Sequence, residues 1–260
     1  MAPITYSPPV NALLQIGEKH IRSPEEWPDY AKLYGLTAQH IPDLLQMATD
    51  QDLNWAPTDS PEVWAPLHAW RALGQLKAEA AIEPLLSVFH VMEDSDWFSE
   101  DMPNVFALIG PAAIPPVHAF LADSENAFYC RWTAASILVK LGQTHPQVRA
   151  DCVAILEQQL GQFSKNSPMF NGVLIASLMD LEAQESAPLM ERAFVAKRVD
   201  SSIAGDWIDV QYGLGLISRA EINDLRHHVD AEKLRSKASK VGAKPTKGFG
   251  TSPSTKKKKR

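Results

Sequence analysis

Hydrophobic residues between Leu67 and Phe89 recur every three or four positions, which is the period of an amphipathic helix. They fall into two sets: Trp70, Leu73 and Leu76, followed by Ile82, Leu85, Leu86 and Phe89. A short joint, Gln75-Leu76-Lys77-Ala78, separates the two sets. The pattern predicts two helices that fold back on each other as a hairpin with one apolar seam.

Related pairs recur along the chain and share one feature, a proline in the first turn of the second helix. Proline is tolerated there because the first-turn amides have no intrahelical acceptor. These prolines are Pro42, Pro84, Pro116 and Pro188, separated by 42, 32 and 72 residues. The last gap also holds a further hairpin around Cys152, so it counts as two periods of about 36 residues. No segment alternates as a strand does, so we predict a helical repeat array without β-sheet.

The segment Ala72-Leu73-Gly74-Gln75-Leu76, followed by Ala81-Ile82-Glu83-Pro84-Leu85-Leu86, resembles a short HEAT repeat of the kind found in phycobilin lyase subunits. Looser matches run from Ala107 to Pro116, and the resemblance covers roughly residues 37–200. It implies an all-α fold, an α-solenoid of about five HEAT-like hairpins, that serves as an interaction platform. The stretch from Ile203 to Leu216 resembles the end of an uncharacterised bacterial HEAT-like family.

Charge divides the chain into an acidic body and a basic end. Residues 233–260 hold 11 of the 25 Lys and Arg residues and no acidic residue, and residues 1–232 carry a balance of −17. Few apolar side chains occur near the end, so ordering it would cost more than burial returns. We therefore predict a flexible lead-in over residues 1–9, the solenoid domain over 10–238, and a disordered Lys-rich tail over 239–260.

No catalytic motif is present: the sequence contains no HExxH, GxSxG, GxGxxG or phosphate-binding glycine loop. Cys130 and Cys152 form neither a zinc spacing nor a disulfide framework, and we expect both to be buried and inert. No apolar run reaches the roughly 20 residues of a membrane helix, and no secretory signal opens the chain. These features favour a cytoplasmic protein without metal or cofactor.

Two segments are the candidates for recognition. The first is an acidic loop, Glu93 to Asp101, with the aromatic pair Trp97-Phe98 among its carboxylates. It would be a binding hot spot with a charged rim, a divalent-cation site without EF-hand spacing, or a solvated loop that folds back on the core. The second is Asp206-Trp207, beside a predicted helix start. The candidate binding residues are Asp94, Asp96, Trp97, Phe98, Glu100, Asp101, Asp206 and Trp207.

The function we predict from these features is a scaffold or adaptor that binds a protein partner. The resemblance to phycobilin lyase subunits implies an alternative, a lyase-like or chaperone-like subunit acting on a tetrapyrrole-bearing protein. Nucleic acid is a poor ligand for the acidic body because a phosphate-binding surface needs positive charge. The Lys-rich tail allows a weak contact with an anionic partner.

Overall fold

The protein is described by a computed structural model, which covers residues 5–19, 23–93 and 95–227. Thirteen α-helices have both ends within the described residues, and these residues contain no β-strand, which confirms the predicted all-α class. The helices are α1 Tyr30–Tyr34, α2 Ile41–Ala48, α3 Gln51–Asn54, α4 Ala65–Gln75, α5 Ile82–Ser87, α6 Asp96–Ile109, α7 Ile114–Ala122, α8 Phe128–Thr144, α9 Arg149–Leu160, α10 Pro168–Asp180, α11 Ala187–Val195, α12 Ser201–Ala204 and α13 Trp207–Gly213.

By its contacts the chain divides into two units, and the division falls between Leu216 and Ile217. The first unit holds all thirteen helices. In the second unit, residues 219–227 are helical. The Ser218 hydroxyl accepts a hydrogen bond from the Glu221 amide, and Glu221 Oε2 accepts one from the Ser218 amide, which together form a capping box. The end that we predict for the solenoid domain, residue 238, lies outside the described residues. The predicted disordered tail, 239–260, lies outside the described residues.

The helices of the first unit pack in two series. One series consists of α2, α4, α6, α8, α10 and α12, each in contact with the next. The other consists of α5, α7, α9, α11 and α13, again each in contact with the next. Helix α8 also packs against α7 and α9, and α10 packs against α9, so these contacts join the two series.

A 3-10 turn opens each of the second helices α5, α7, α9 and α11. These turns are Glu79–Ala81, Pro111–Ala113, Pro146–Val148 and Gln184–Ser186. A tight turn of this kind suits the start of a helix, where the first amides have no intrahelical acceptor. The joint predicted between Gln75 and Ala78 lies at this position, because α4 ends at Gln75 and the next turn begins at Glu79.

Helical spacing predicts five leucines and one isoleucine at the inter-helix seams, and all six are buried. Their exposed fractions are at most 9% for Leu73, Leu85, Leu86, Ile114, Leu138 and Leu178. Helical spacing alone therefore identified the core faces of α4, α5, α7, α8 and α10.

The N-terminal region differs from the prediction in two places. Tyr6, in the predicted flexible lead-in, is buried, and its hydroxyl donates to Asp50 Oδ2 at 2.6 Å. The sequence Ser23-Pro24-Glu25-Glu26 is a helix-start signal and predicts one helix that runs to about Tyr34. The structure has instead a 3-10 turn, Pro24–Glu26, and a separate α1. The break falls at Pro28, which disfavours helical backbone in the preceding Trp27.

We predicted that the acidic segment is a loop from Glu93 to Asp101. The structure differs, because α6 begins at Asp96. The Ser95 hydroxyl accepts a hydrogen bond from the Phe98 amide and so caps the helix. Most of the carboxylates therefore lie on the first turns of a helix, and their side chains point in different directions around it.

No single helix among the described residues is long and apolar enough to cross a membrane. The pair Asp96–Ile109 and Pro111–Ala122 reaches the required length and composition only when both are counted together, and it bends by 115° at the break.

Candidate functional site

A groove follows one face of α8, between α6 on one side and α10 on the other. It consists of two clefts, of about 490 and 330 Å³, which share Trp132 and Ser136. We call it the α8 groove and divide it into an acidic end and an apolar end. From Tyr129 to Gln143 it follows α8 for about 20 Å, at 1.5 Å per residue. That length matches about six residues of an extended peptide.

The acidic end of the groove is lined by three carboxylates, Glu93, Asp96 and Glu100. Helix α6 supplies Asp96 and Glu100, which are four residues apart and therefore lie on one face. Among the described residues, no Lys or Arg lines this end. Its potential is therefore negative, and a cationic group that entered it would meet three charges of opposite sign.

Aromatic side chains form the other wall of the acidic end. Tyr129 is 56% exposed although it lies in the first turn of α8. Its ring stacks on that of Trp132, with 6.3 Å between the ring centroids and an interplanar angle of 14°. Exposed aromatic faces beside carboxylates attract lysine and arginine side chains through the ring quadrupole as well as through charge.

The apolar end of the groove continues toward α10 and α12. Val139, Val173 and Ile203 line it, together with one cation, Lys140, and one carboxylate, Asp180. Burial raises the pKa of Asp180 above its ordinary value. The groove as a whole thus joins a charged, aromatic half to a more apolar half, and it can hold a segment with both kinds of side chain.

The predicted binding residues of the acidic segment lie on three different faces of α6. Asp96 and Glu100 line the groove. Trp97 is half-buried on another face, edge-on to Trp64 with ring centroids 5.2 Å apart, in an apolar cavity of about 190 Å³. Phe98 is in the core, 2% exposed. Asp94 lies outside the described residues.

Asp101, the last residue of the predicted acidic site, is not available to a ligand. It is 2% exposed and pairs with the fully buried Arg71 of α4. Arg71 Nε donates to Oδ2 at 2.7 Å and Nη2 donates to Oδ1 at 3.2 Å, the two-bond geometry of a strong ion pair. Arg71 also lies over the Trp27 ring, 4.8 Å from its centroid. Asp101 is therefore a structural residue that joins α6 to α4.

A second buried polar contact lies one turn away on α4. His68 Nε2 is 2.8 Å from the Gly17 carbonyl, so Nε2 carries the proton and donates. Nδ1 then accepts from the Tyr30 hydroxyl at 2.7 Å. Burial lowers the pKa of His68 to about 4, so the ring is neutral at physiological pH. His68 and Tyr30 both have hydrogen-bond partners inside the protein, so we assign them a role in packing and none in catalysis.

The neutral His68 predicts a pH dependence of stability. In the unfolded chain its pKa is about 6.5, so below that pH the unfolded state binds a proton that the folded state excludes until about pH 4. Stability therefore falls as the pH falls through this window. Between pH 7 and 4, we expect the unfolding free energy to drop by about 3 kcal/mol more in the wild type than in His68→Gln.

Urea unfolding followed by tryptophan fluorescence at several pH values measures this difference. Taking the difference between the two proteins removes the contribution of the carboxylates that they share. Parallel pH profiles would contradict the buried, neutral state of His68.

Asp206 and Trp207 do not line the groove. Asp206 caps α13, as predicted, because its Oδ1 accepts hydrogen bonds from the amides of Ile208 and Asp209. Trp207 is half-buried, with its ring 5.8 Å from that of Phe194 on α11. These contacts explain both residues as parts of the α11–α13 packing, and the groove lies on the other series of helices.

The two cysteines are buried and unpaired, as predicted. Burial raises the pKa of both thiols to about 11, so they are protonated and poor nucleophiles. Among the described residues, no group of three or more His, Cys, Asp or Glu side chains is arranged to hold a metal ion.

The groove residues of α8 were not among the predicted binding residues. A signal for them is nevertheless present in the sequence, because a second stripe recurs every three or four residues on this helix. Its members are Tyr129, Trp132, Thr133, Ser136, Val139, Lys140 and Gln143. The helical spacing of Trp132 predicts a core position, whereas its side chain is half-buried in the groove wall.

Fold and groove together define an all-helical protein with an acidic, aromatic groove along one series of helices. Residues 37–235 match a family described as a protein of unknown function, DUF1186, and the chain belongs to this family. This match names neither HEAT repeats nor phycobilin lyases. No curated protein matches the chain, and no solved structure matches it.

Proposed function

We propose that the protein is a HEAT-like α-solenoid that binds a partner protein, and that the α8 groove holds a basic segment of that partner. The observation that carries the proposal is the acidic end of the groove, where Glu93, Asp96 and Glu100 face the exposed ring of Tyr129. A Lys or Arg side chain of the partner would lie between the ring and the carboxylates.

Two features support the solenoid interpretation. Each helix contacts the next helix of its own series, from α2 to α12 in one series and from α5 to α13 in the other. The second helices also begin in the same way, through a 3-10 turn. In a solenoid each repeat buries its seam against its neighbours and leaves an elongated face for partners. We place the binding face on the α6–α8–α10 series.

The groove chemistry favours a basic protein segment over the other ligands considered. A nucleic-acid backbone would bring phosphates toward three carboxylates, which repel them. Tetrapyrroles of the bilin type carry propionate groups, which the acidic end would repel in the same way. The apolar end, with Val139, Val173 and Ile203, suits the aliphatic side chains of a peptide.

A fluorescence-anisotropy titration tests the proposal with a short fluorescein-labelled peptide of alternating lysine and alanine. We expect saturable binding that weakens with added salt, since the contacts are exposed ion pairs. The triple substitution Glu93→Gln, Asp96→Asn and Glu100→Gln should weaken binding about tenfold, from about 0.5 kcal/mol for each lost pair.

A matched control removes the same charge from outside the groove: Glu79→Gln, Glu83→Gln and Glu125→Gln, all at exposed positions. This variant should bind the peptide almost as the wild type does. Equal weakening by both triple variants would mean that only the net charge matters, and the groove assignment would be wrong. A peptide of alternating glutamate and alanine should not bind.

A further inference from the structure

A separate cavity of about 610 Å³ lies where the loop between α7 and α8 meets the loop between α9 and α10. Its polar lining consists mainly of Ser124, Asn126, Arg131, Gln162, Lys165 and Ser167. We call it the Arg131 cavity. Two cations and no carboxylate line it among the described residues, in a body whose charge balance is −17.

Arg131 is held in a fixed orientation. Its Nε donates to the Leu121 carbonyl at 2.9 Å, and its guanidinium carbon lies 4.0 Å from the centroid of the Phe170 ring. Within the described part of the chain, its two terminal nitrogens make no hydrogen bond. The stacking and the hydrogen bond at Nε therefore leave the N–H groups of these two nitrogens available to a ligand.

The surroundings add positive potential. Helix α8 begins at Phe128, which lines the cavity, and its N-cap residue Ala127 has no side chain that could accept from the first amides. Lys165 is exposed and makes no ion pair in the described residues. Asp123 is near enough to raise the pKa of Arg131, yet burial lowers that pKa more. Asp123 lines a different cavity, beside His90.

We propose that the Arg131 cavity is a binding site for an oxyanion, the carboxylate or phosphate group of a small molecule or a side chain. The terminal nitrogens of Arg131 bind two of its oxygens, because the planar guanidinium fork matches both groups. Lys165 closes the site from the rim as a second charge. This site is independent of the α8 groove, whose charge has the opposite sign.

Amide chemical shifts of the ¹⁵N-labelled full chain, titrated with sodium phosphate and separately with sodium acetate at constant ionic strength, test the proposal. We expect saturable shifts at the amides of Asn126 and Phe128 for at least one of the two anions. Which anion saturates at lower concentration identifies the preferred group, phosphate or carboxylate.

Three variants decide whether the cavity is responsible. Arg131→Lys keeps the charge but loses the fork, and should raise the apparent dissociation constant about fivefold or more. Lys165→Gln, at an exposed position that folding does not need, should raise it about threefold. Lys140→Gln removes the same charge from the α8 groove and should leave it unchanged. If Arg131→Lys fails to fold, the comparison of the anion affinities of Lys165→Gln and Lys140→Gln still tests the proposal. The proposal would be overturned if the amide shifts were absent or did not saturate. Equal dissociation constants for Lys165→Gln and Lys140→Gln would overturn it as well.

Discussion

Asp101→Ala is expected to lower the free energy of unfolding by about 3–5 kcal/mol, the usual cost of leaving one charge of a buried pair without its partner. Arg71 is fully buried and donates two hydrogen bonds to Asp101, so without the carboxylate its charge would be left buried and without that partner. The loss is a large part of the 5–15 kcal/mol typical of a whole domain.

Urea unfolding, with tryptophan fluorescence as the signal, measures this effect. Glu100→Ala removes the neighbouring carboxylate, which is exposed, and should change stability by less than about 0.5 kcal/mol. The double variant Arg71→Met, Asp101→Leu replaces both charges by apolar groups and should recover most of the loss. A small effect of Asp101→Ala, or a double variant no more stable than the single one, would contradict a desolvated ion pair.

The hydrophobic period predicted the class of the fold and much of its core. Leu73, Leu85 and Leu178 are buried as their spacing required, because core positions of a helix repeat with the geometry of the helix itself. Gly35 ends α1 with a φ of 70°, and glycine after an apolar helical segment is a helix-stop signal that the sequence alone shows. Such features depend on residues close together in the chain, so one sequence is sufficient to find them.

The acidic segment was misassigned because its partners are distant in sequence. Asp101 pairs with Arg71, thirty positions earlier, and Phe98 packs between Trp70 and Phe89. Locally the segment has the composition of a solvated loop, with five carboxylates in nine residues. Only the packing of α6 on α4 distinguishes a buried aspartate from an exposed one, and no periodicity encodes which helices become neighbours.

The α8 groove was missed for a different reason. Helix α8 is apolar on the faces toward α6, α7, α9 and α10, so its stripes overlap and no single amphipathic face stands out. Tyr129 and Trp132 look like further core residues in such a helix. Their place in the groove wall depends on how the neighbouring helices pack against α8, which no single helical stripe encodes.

Phe98→Ala is expected to cost about 3–5 kcal/mol of unfolding free energy, as for a large aromatic side chain removed from a packed core. Phe98 is 2% exposed and meets Trp70 and Phe89 edge-on, with ring centroids 5.2 and 4.9 Å away. Each edge-to-face pair adds to the loss of buried area, and the rigid rings can close only part of the cavity.

Tyr129→Ala is the matched control, since it removes another aromatic ring, one that is 56% exposed in the groove. Its stability should change by less than about 0.5 kcal/mol, whereas its affinity for the lysine–alanine peptide should fall about threefold, from the loss of one exposed cation–π contact. Phe98→Ala, measured at a temperature where it is folded, should keep the affinity. The two variants thus distinguish the role of the core face of α6 from the role of the α8 groove. The reverse result, weak binding in Phe98→Ala and reduced stability in Tyr129→Ala, would place the recognition surface on the opposite face of α6.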